Sequence, residues 1–289
     1  MTHLPQYVLD GLLLGGVYAL LAAGLSLIFG VMRVINFAQG EFMMLGMYAA
    51  YLGTSLLGLD PYLVALPAAA VILLLGVLFA TGLLERIPRG DQDAQLLLTL
   101  GLSLFLQNLA IALFGVTPHA VLRPYSNTLI PLGGLYLHVS WLYACLASLL
   151  VMLALYLFLN RTWLGRALRA TADDASAASY VGISVRRMHA IAFGIGVGLA
   201  ALAGTLIATF HGVLPTVGQD FVLIMFVAVV LGGLGSIPGA VLGAFFVGLV
   251  QSLAGAAVPL QLQNAVVFVL FVVVLLLRPR GLFGLRTRV

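Results

Sequence analysis

Few residues in this chain can do chemistry, and two short stretches hold most of them. The first, residues 33–41, places Asn36, Gln39 and Glu41 at or just inside the start of an apolar run. Polar groups there are costly unless paired or wet, so they either meet a polar solute or satisfy irregular backbone. At helical spacing Asn36, Gln39 and Gly40 share one face, and Arg33, Phe37 and Glu41 another. Asn36 and Gln39 therefore line a polar path or lock a break between two helices, and Glu41 stands beside them. The second stretch, residues 161–183, is the only long charged segment. Arg166, Arg169 and Asp173 fall at i, i+3 and i+7, on one helical face. Asp173 and Asp174 favour a helix start and Gly182 an end. A helix with a charged face and a small-residue face (Gly165, Ala177, Ala178) suits a groove on another protein, and equally suits a solvated connector. Gly235 and Ser236 sit in a Gly-rich break, GGLGSIPG, and are further candidates for a path or gate.

None of this is catalytic machinery. The chain has no H-E-x-x-H, no G-x-S-x-G, no G-x-x-x-x-G-K-[ST] phosphate loop and no acidic pair within an apolar run. No cluster of metal ligands stands out, and Cys145 is the only cysteine, so an internal disulfide is impossible and an inert packed thiol is expected. Gln107-Asn108, Gln251 and Asn264 read as interhelical hydrogen-bond partners before they read as path residues.

The elements that must carry these residues are apolar. Charged residues make up 8% of the chain, against about 25% in soluble domains, too few to cover a water-facing surface. The expected fold is therefore all-α, a polytopic transmembrane helical bundle of about eight or nine spans. Apolar runs fall at 8–30, 34–57, 61–84, 96–115, 140–160, 189–211, 220–234, 239–257 and 261–278. The seventh either spans or turns back at its Gly-rich end. The first is too long for a signal-peptide core and is expected to be retained. The thirteen basic residues are all arginines, and they lie between the runs. If the loop 161–188 is cytoplasmic, twelve of them fall inside and only Arg123 outside. That is the arginine bias of membrane topology rather than of nucleic-acid binding. It requires an odd number of crossings, with the N-terminus outside and the C-terminus cytoplasmic. Small residues at four-residue spacing (Gly11, Gly15, Ala19 and Ala23; Gly196, Ala200 and Gly204; Gly235, Gly239 and Gly243) predict close helix contacts. The whole chain, 1–289, reads as one transmembrane domain with a cytoplasmic segment at 161–188.

Four segments, in order, carry a family resemblance. LGRALRATADDASAASYVGIS resembles the coupling segment of membrane subunits in ATP-binding-cassette importers of the branched-chain amino acid branch. GLSLIFGVMRVINFAQGEFMMLGMYAAY, GGLGSIPGAVLGAFFVGLVQ and LRPRGLFG resemble that family's N-terminal signature, late Gly-rich segment and C-terminal end. Gln39 departs from the pattern, which usually has His there, and specificity is expected to follow if that position contacts substrate. The resemblance implies a permease of the bacterial inner membrane. A second permease, as homodimer or heterodimer, two cytoplasmic ATPases and an extracytoplasmic binding protein are the implied partners; the outer loop 116–139 is either a docking surface for the last or an ordinary connector. ATP would be used by those partner subunits, with no cofactor on this chain, and the helix around Arg166–Ala178 would sit in an ATPase groove. Branched-chain or other small amino acids are the implied cargo; relatives also carry urea, amides and small carboxylates. A stand-alone secondary transporter would keep ionisable groups near mid-membrane, whereas Glu41 and Asp220 lie near span ends.

Overall fold

The computed structural model describes residues 4–277 except 88–90, 127 and 133. Nine helices occupy the nine apolar runs: α1 (Leu4–Met32), α2 (Gln39–Leu57), α3 (Pro61–Gly82), α4 (Gln92–Phe114), α5 (Val139–Arg161), then α8 (Val185–Ile207), α9 (Val217–Gly232), α10 (Ile237–Ala254) and α11 (Leu260–Leu277). Between α5 and α8 lie two short helices, α6 (Trp163–Asp173) and α7 (Ala175–Tyr180). Among the described residues six helices are long and apolar enough to cross a membrane: α1, α3, α4, α5, α8 and α10. Helix α9, with 16 residues, is shorter, and α2 begins with the polar Gln39 and Glu41. Residues 220–238 run as α9 into a glycine turn, after which α10 packs back along it, Gly239 beside Gly232 and Gly243 beside Ala228.

The all-α expectation holds for the described residues, with one small addition in a connector. In the α4–α5 connection, β1 (Leu129–Leu132) and β2 (Leu135–His138) form an antiparallel hairpin, with Leu132 opposite Leu135. The sequence between them is Gly-Gly, the pairing that suits a tight hairpin connection, and Gly134 has φ +97°. His119 and Val213 add a further bridge that fastens this loop to the α8–α9 connection.

Helices α1 and α8 form the core: 83% and 89% of their apolar stretches are buried, against 17% for α4, which lies at the edge. The stripes of small residues account for this. A Cβ on Gly15 would sit 2.8 Å from the Phe245 Cα of α10, and one on Gly24 2.5 Å from the Gly196 carbonyl of α8. A Cβ on Gly46 of α2 would overlap the Ala201 carbonyl, and one on Gly243 that of Ala228 in α9. Lipid offers no hydrophobic drive for helices to meet, so backbone contact of this kind supplies the packing.

Candidate translocation path and coupling surface

The break between α1 and α2 is built by its own side chains. Helix α1 stops where Arg33 takes a left-handed φ of +58° and its N–H returns to the Phe29 carbonyl at 2.9 Å. Asn36 Oδ1 accepts from the Ala38 N–H at 3.1 Å, and Asn36 Nδ2 donates to Gln39 Oε1 at 2.9 Å. Gln39 Nε2 then donates to the Gly196 carbonyl of α8 at 3.0 Å. From α4, the Thr99 hydroxyl donates to the Ile35 carbonyl at 3.3 Å and accepts from the Phe37 N–H at 3.4 Å. Asn36, Gln39 and Thr99 are all fully buried. Asn36 and Gln39 thus tie the α1–α2 break together and to α8. The shared helical faces assigned to 33–41 do not exist, because helix begins only at Gln39; Asn36 and Gln39 meet across a turn instead. Glu41 is buried within the first turn of α2, with Oε2 unpartnered and Ser103 of α4 as its polar neighbour.

Gly235 and Ser236 belong to the α9–α10 turn. Gly233 and Gly235 have φ of +96° and +84°, and Ser236 Oγ caps α10 by accepting from the Gly239 N–H at 3.2 Å. Gly235 backs onto Gly30 of α1, where an added Cβ would come within 3.3 Å of the Gly30 Cα. Both residues line a cavity of about 1230 Å³ between α1, α5, α6 and the α9–α10 turn, and Arg33, Arg169 and Asp173 line it too. The structure thus joins Gly235 and Ser236 to part of the charged segment and leaves Asn36, Gln39 and Glu41 out of that cavity.

The charged segment folds as two helices rather than one. Thr162 caps α6 by accepting from the Gly165 N–H at 3.0 Å, and a Cβ on Gly165 would strike the Phe158 carbonyl and Leu159. Ala167, Leu168 and Thr171 face inward, while Arg166, Arg169 and Asp173 face out, Arg169 donating to Asn160 Oδ1 at 2.5 Å. Asp174 breaks the run by capping α7, accepting from the N–H groups of Ser176 and Ala177 at 2.8 and 3.0 Å. The expected helix start is therefore at Asp174, and the stop is Gly182 at φ +84°. Ala178 is buried and Ala177 exposed. At the tip stand Tyr180, 88% exposed, and Val181, 76% exposed. Sequence reasoning missed these two; an aromatic and an aliphatic side by side before a glycine was the available signal. Arg186, at the start of α8, pairs with Glu85 and donates to the Thr81 carbonyl at 3.4 Å.

At the opposite end, Arg123 donates to the Gly58 carbonyl at 2.8 Å and to that of Leu59, and Tyr125 donates to the Asp60 carboxylate at 2.9–3.0 Å. Burial first, then the Asp60 carboxylate, push the Tyr125 phenol well above its ordinary value. The remaining polar candidates pair between helices: Gln219 Nε2 with Gln107 Oε1 at 3.2 Å and Gln251 Nε2 with Asn264 Oδ1 at 3.1 Å. Asn108 instead donates to the Leu104 carbonyl of its own helix at 2.8 Å. Asp10, also within α1, accepts from Gln6 at 3.0 Å. Arg89 and the tail 278–289, with the C-terminal resemblance, lie outside the described residues.

Membrane-length helices packed by backbone contact and joined through a two-helix charged connector define a multi-pass membrane protein. A family model described as "Branched-chain amino acid transport system / permease component" matches residues 7–275. The chain belongs to that family. It is 34% identical to the high-affinity branched-chain amino acid transport system permease protein BraD of Pseudomonas aeruginosa, over 98% of this chain and 96% of that protein. The corresponding LivH proteins of Salmonella typhimurium and Escherichia coli K12 are 34% and 33% identical, each over 96% of this chain and 95% of the relative. A solved structure, PsaBC from Streptococcus pneumoniae in complex with Fab, covers 94% of this chain and 91% of its own at 15% identity and a TM-score of 0.48.

Proposed function

We propose that the whole chain acts as one permease unit of an ATP-driven importer, carrying branched-chain amino acids inward across the membrane. The observation that carries the coupling half of this reading is the α6–α7 connector, which is anchored by Ala167, Leu168 and Ala178 while presenting Tyr180 and Val181 outward. An exposed aromatic-aliphatic pair on a capped helix suits insertion into a groove of a partner ATPase. In this reading nine helices cross, and α9, with 16 residues, is the shortest because the Gly233 turn ends it. Arg33, Arg86, Arg161, Arg166, Arg169, Arg186 and Arg187 face the cytoplasm and Arg123 the outside, where an extracytoplasmic binding protein docks. The names of the relatives favour leucine-like cargo over urea, amides or small carboxylates.

The test is reconstitution. Co-expressed with the neighbouring transport genes, the chain is expected to purify with a second permease and two ATPases. In liposomes the complex should take up leucine, isoleucine or valine only with ATP and the binding protein. Uptake of urea or an amide instead would overturn the cargo assignment, and uptake by this chain alone would overturn the division of labour. A thermal-shift screen of the binding protein against the same solutes reads specificity independently.

A further inference from the structure

The cavity of about 1230 Å³ has a composition that amino-acid transport does not explain. Its wall is largely apolar, with Leu27 and Val31 of α1, Leu155 and Leu159 of α5 and Val241 of α10. Tyr156 of α5 and Leu242 of α10, which also line it, are exposed. A zwitterionic solute needs polar partners at both ends, and this space offers charge at one end only. There Arg33 and Arg169 stand with a single carboxylate, Asp173.

We propose that this crevice binds an anionic glycerophospholipid. One acyl chain lies along Leu27, Val31 and Val241, and the phosphate lies between Arg33 and Arg169. Two guanidiniums at the membrane–water boundary fit a phosphodiester, and basic pockets between helices on the cytoplasmic side recognise such headgroups. Because Leu168 and Ala172 of α6 form part of the wall, the lipid steadies the connector that carries Tyr180. The inference rests on the proposed membrane orientation but not on the cargo.

The probe is phosphatidylglycerol carrying a diazirine on its acyl chain, added in trace to nanodiscs of phosphatidylcholine that hold the assembled transporter. Cross-links mapped by mass spectrometry are expected on peptides containing residues 26–31 and 238–242. Labelling should fall about fivefold or more in Arg33→Gln/Arg169→Gln, and vanish in Val241→Trp, which fills the crevice. If the tryptophan variant fails to accumulate, the arginine pair still decides the matter. Equal labelling by a phosphatidylcholine probe, or labels only elsewhere, overturns the proposal. So does a photo-crosslinker at Leu242 that captures the second permease instead of lipid. Leucine uptake by the wild-type complex is measured in parallel; lost labelling with intact uptake refutes the lipid site alone.

Discussion

At the residue scale the sharpest outcome concerns Gln39. Its amide bridges the α1–α2 break to α8 through Asn36 and the Gly196 carbonyl, all out of contact with water. Gln39→Leu strands Asn36 Nδ2 at a cost of about 1–3 kcal/mol and removes the second bond on the Gly196 carbonyl, which keeps its partner within α8. The expected result is a lower melting temperature of the purified complex with the KM for substrate unchanged. A shifted KM at wild-type stability would move Gln39 back to the path. Tyr125 gives a pH prediction. Its phenol is raised above the ordinary 10.0, so the Tyr125–Asp60 contact contributes fully below that value and is lost as pH rises through the elevated one. Hydrogen exchange in the outer loop should be flat from neutral pH to about 10 after correction for intrinsic rates, and Tyr125→Phe should raise it throughout that range.

At the element scale α6 and α7 separate two substitutions that look alike in sequence. Ala178 is buried, so Ala178→Trp overpacks the connector and is expected to cost yield. Ala177 is exposed beside Tyr180, so Ala177→Glu is expected to leave insertion and assembly intact while ATP hydrolysis no longer drives uptake. Normal coupled uptake in that variant would sink the docking role. Removing the α7 cap with Asp174→Ala should weaken the short helix by about 1 kcal/mol and lower coupled uptake without loss of protein. The helix crossings make a different demand. Gly46→Val places side-chain atoms where the Ala201 carbonyl lies, which separates α2 from α8; the measurement is membrane accumulation, expected to be severely reduced.

At the scale of the whole molecule, two buried helices, α1 and α8, are ringed by others whose outward faces are apolar. Each end has a different chemistry. One end ties its loops with Arg123, Tyr125 and the hairpin of β1 and β2; the other gathers arginines around α6. Reversing the bias, by adding arginines near Arg123 and replacing Arg166 and Arg169 with glutamine, is expected to produce misoriented protein. Cysteine accessibility at position 177 from the two sides of sealed vesicles reads this out.

Much of this was legible in the chain itself. Composition demanded a membrane fold, and all nine apolar runs became helices, because lipid permits few other backbone solutions. The four-residue stripes of Gly and Ala marked real crossings, and Asp174 and Gly182 marked real helix ends. These signals are local: each depends on a residue's own backbone preference or on its fit to hydrocarbon. What tertiary structure alone decided was partnership. Whether Asn36 and Gln39 line a path or lock a turn depends on Gly196, some 157 residues away along the chain from Gln39. That Gly235, Ser236, Arg33 and Arg169 share one cavity depends on four elements meeting, and no spacing along the chain encodes it. Nor does spacing tell exposed Ala177 from buried Ala178, since that difference arises only when α7 is packed.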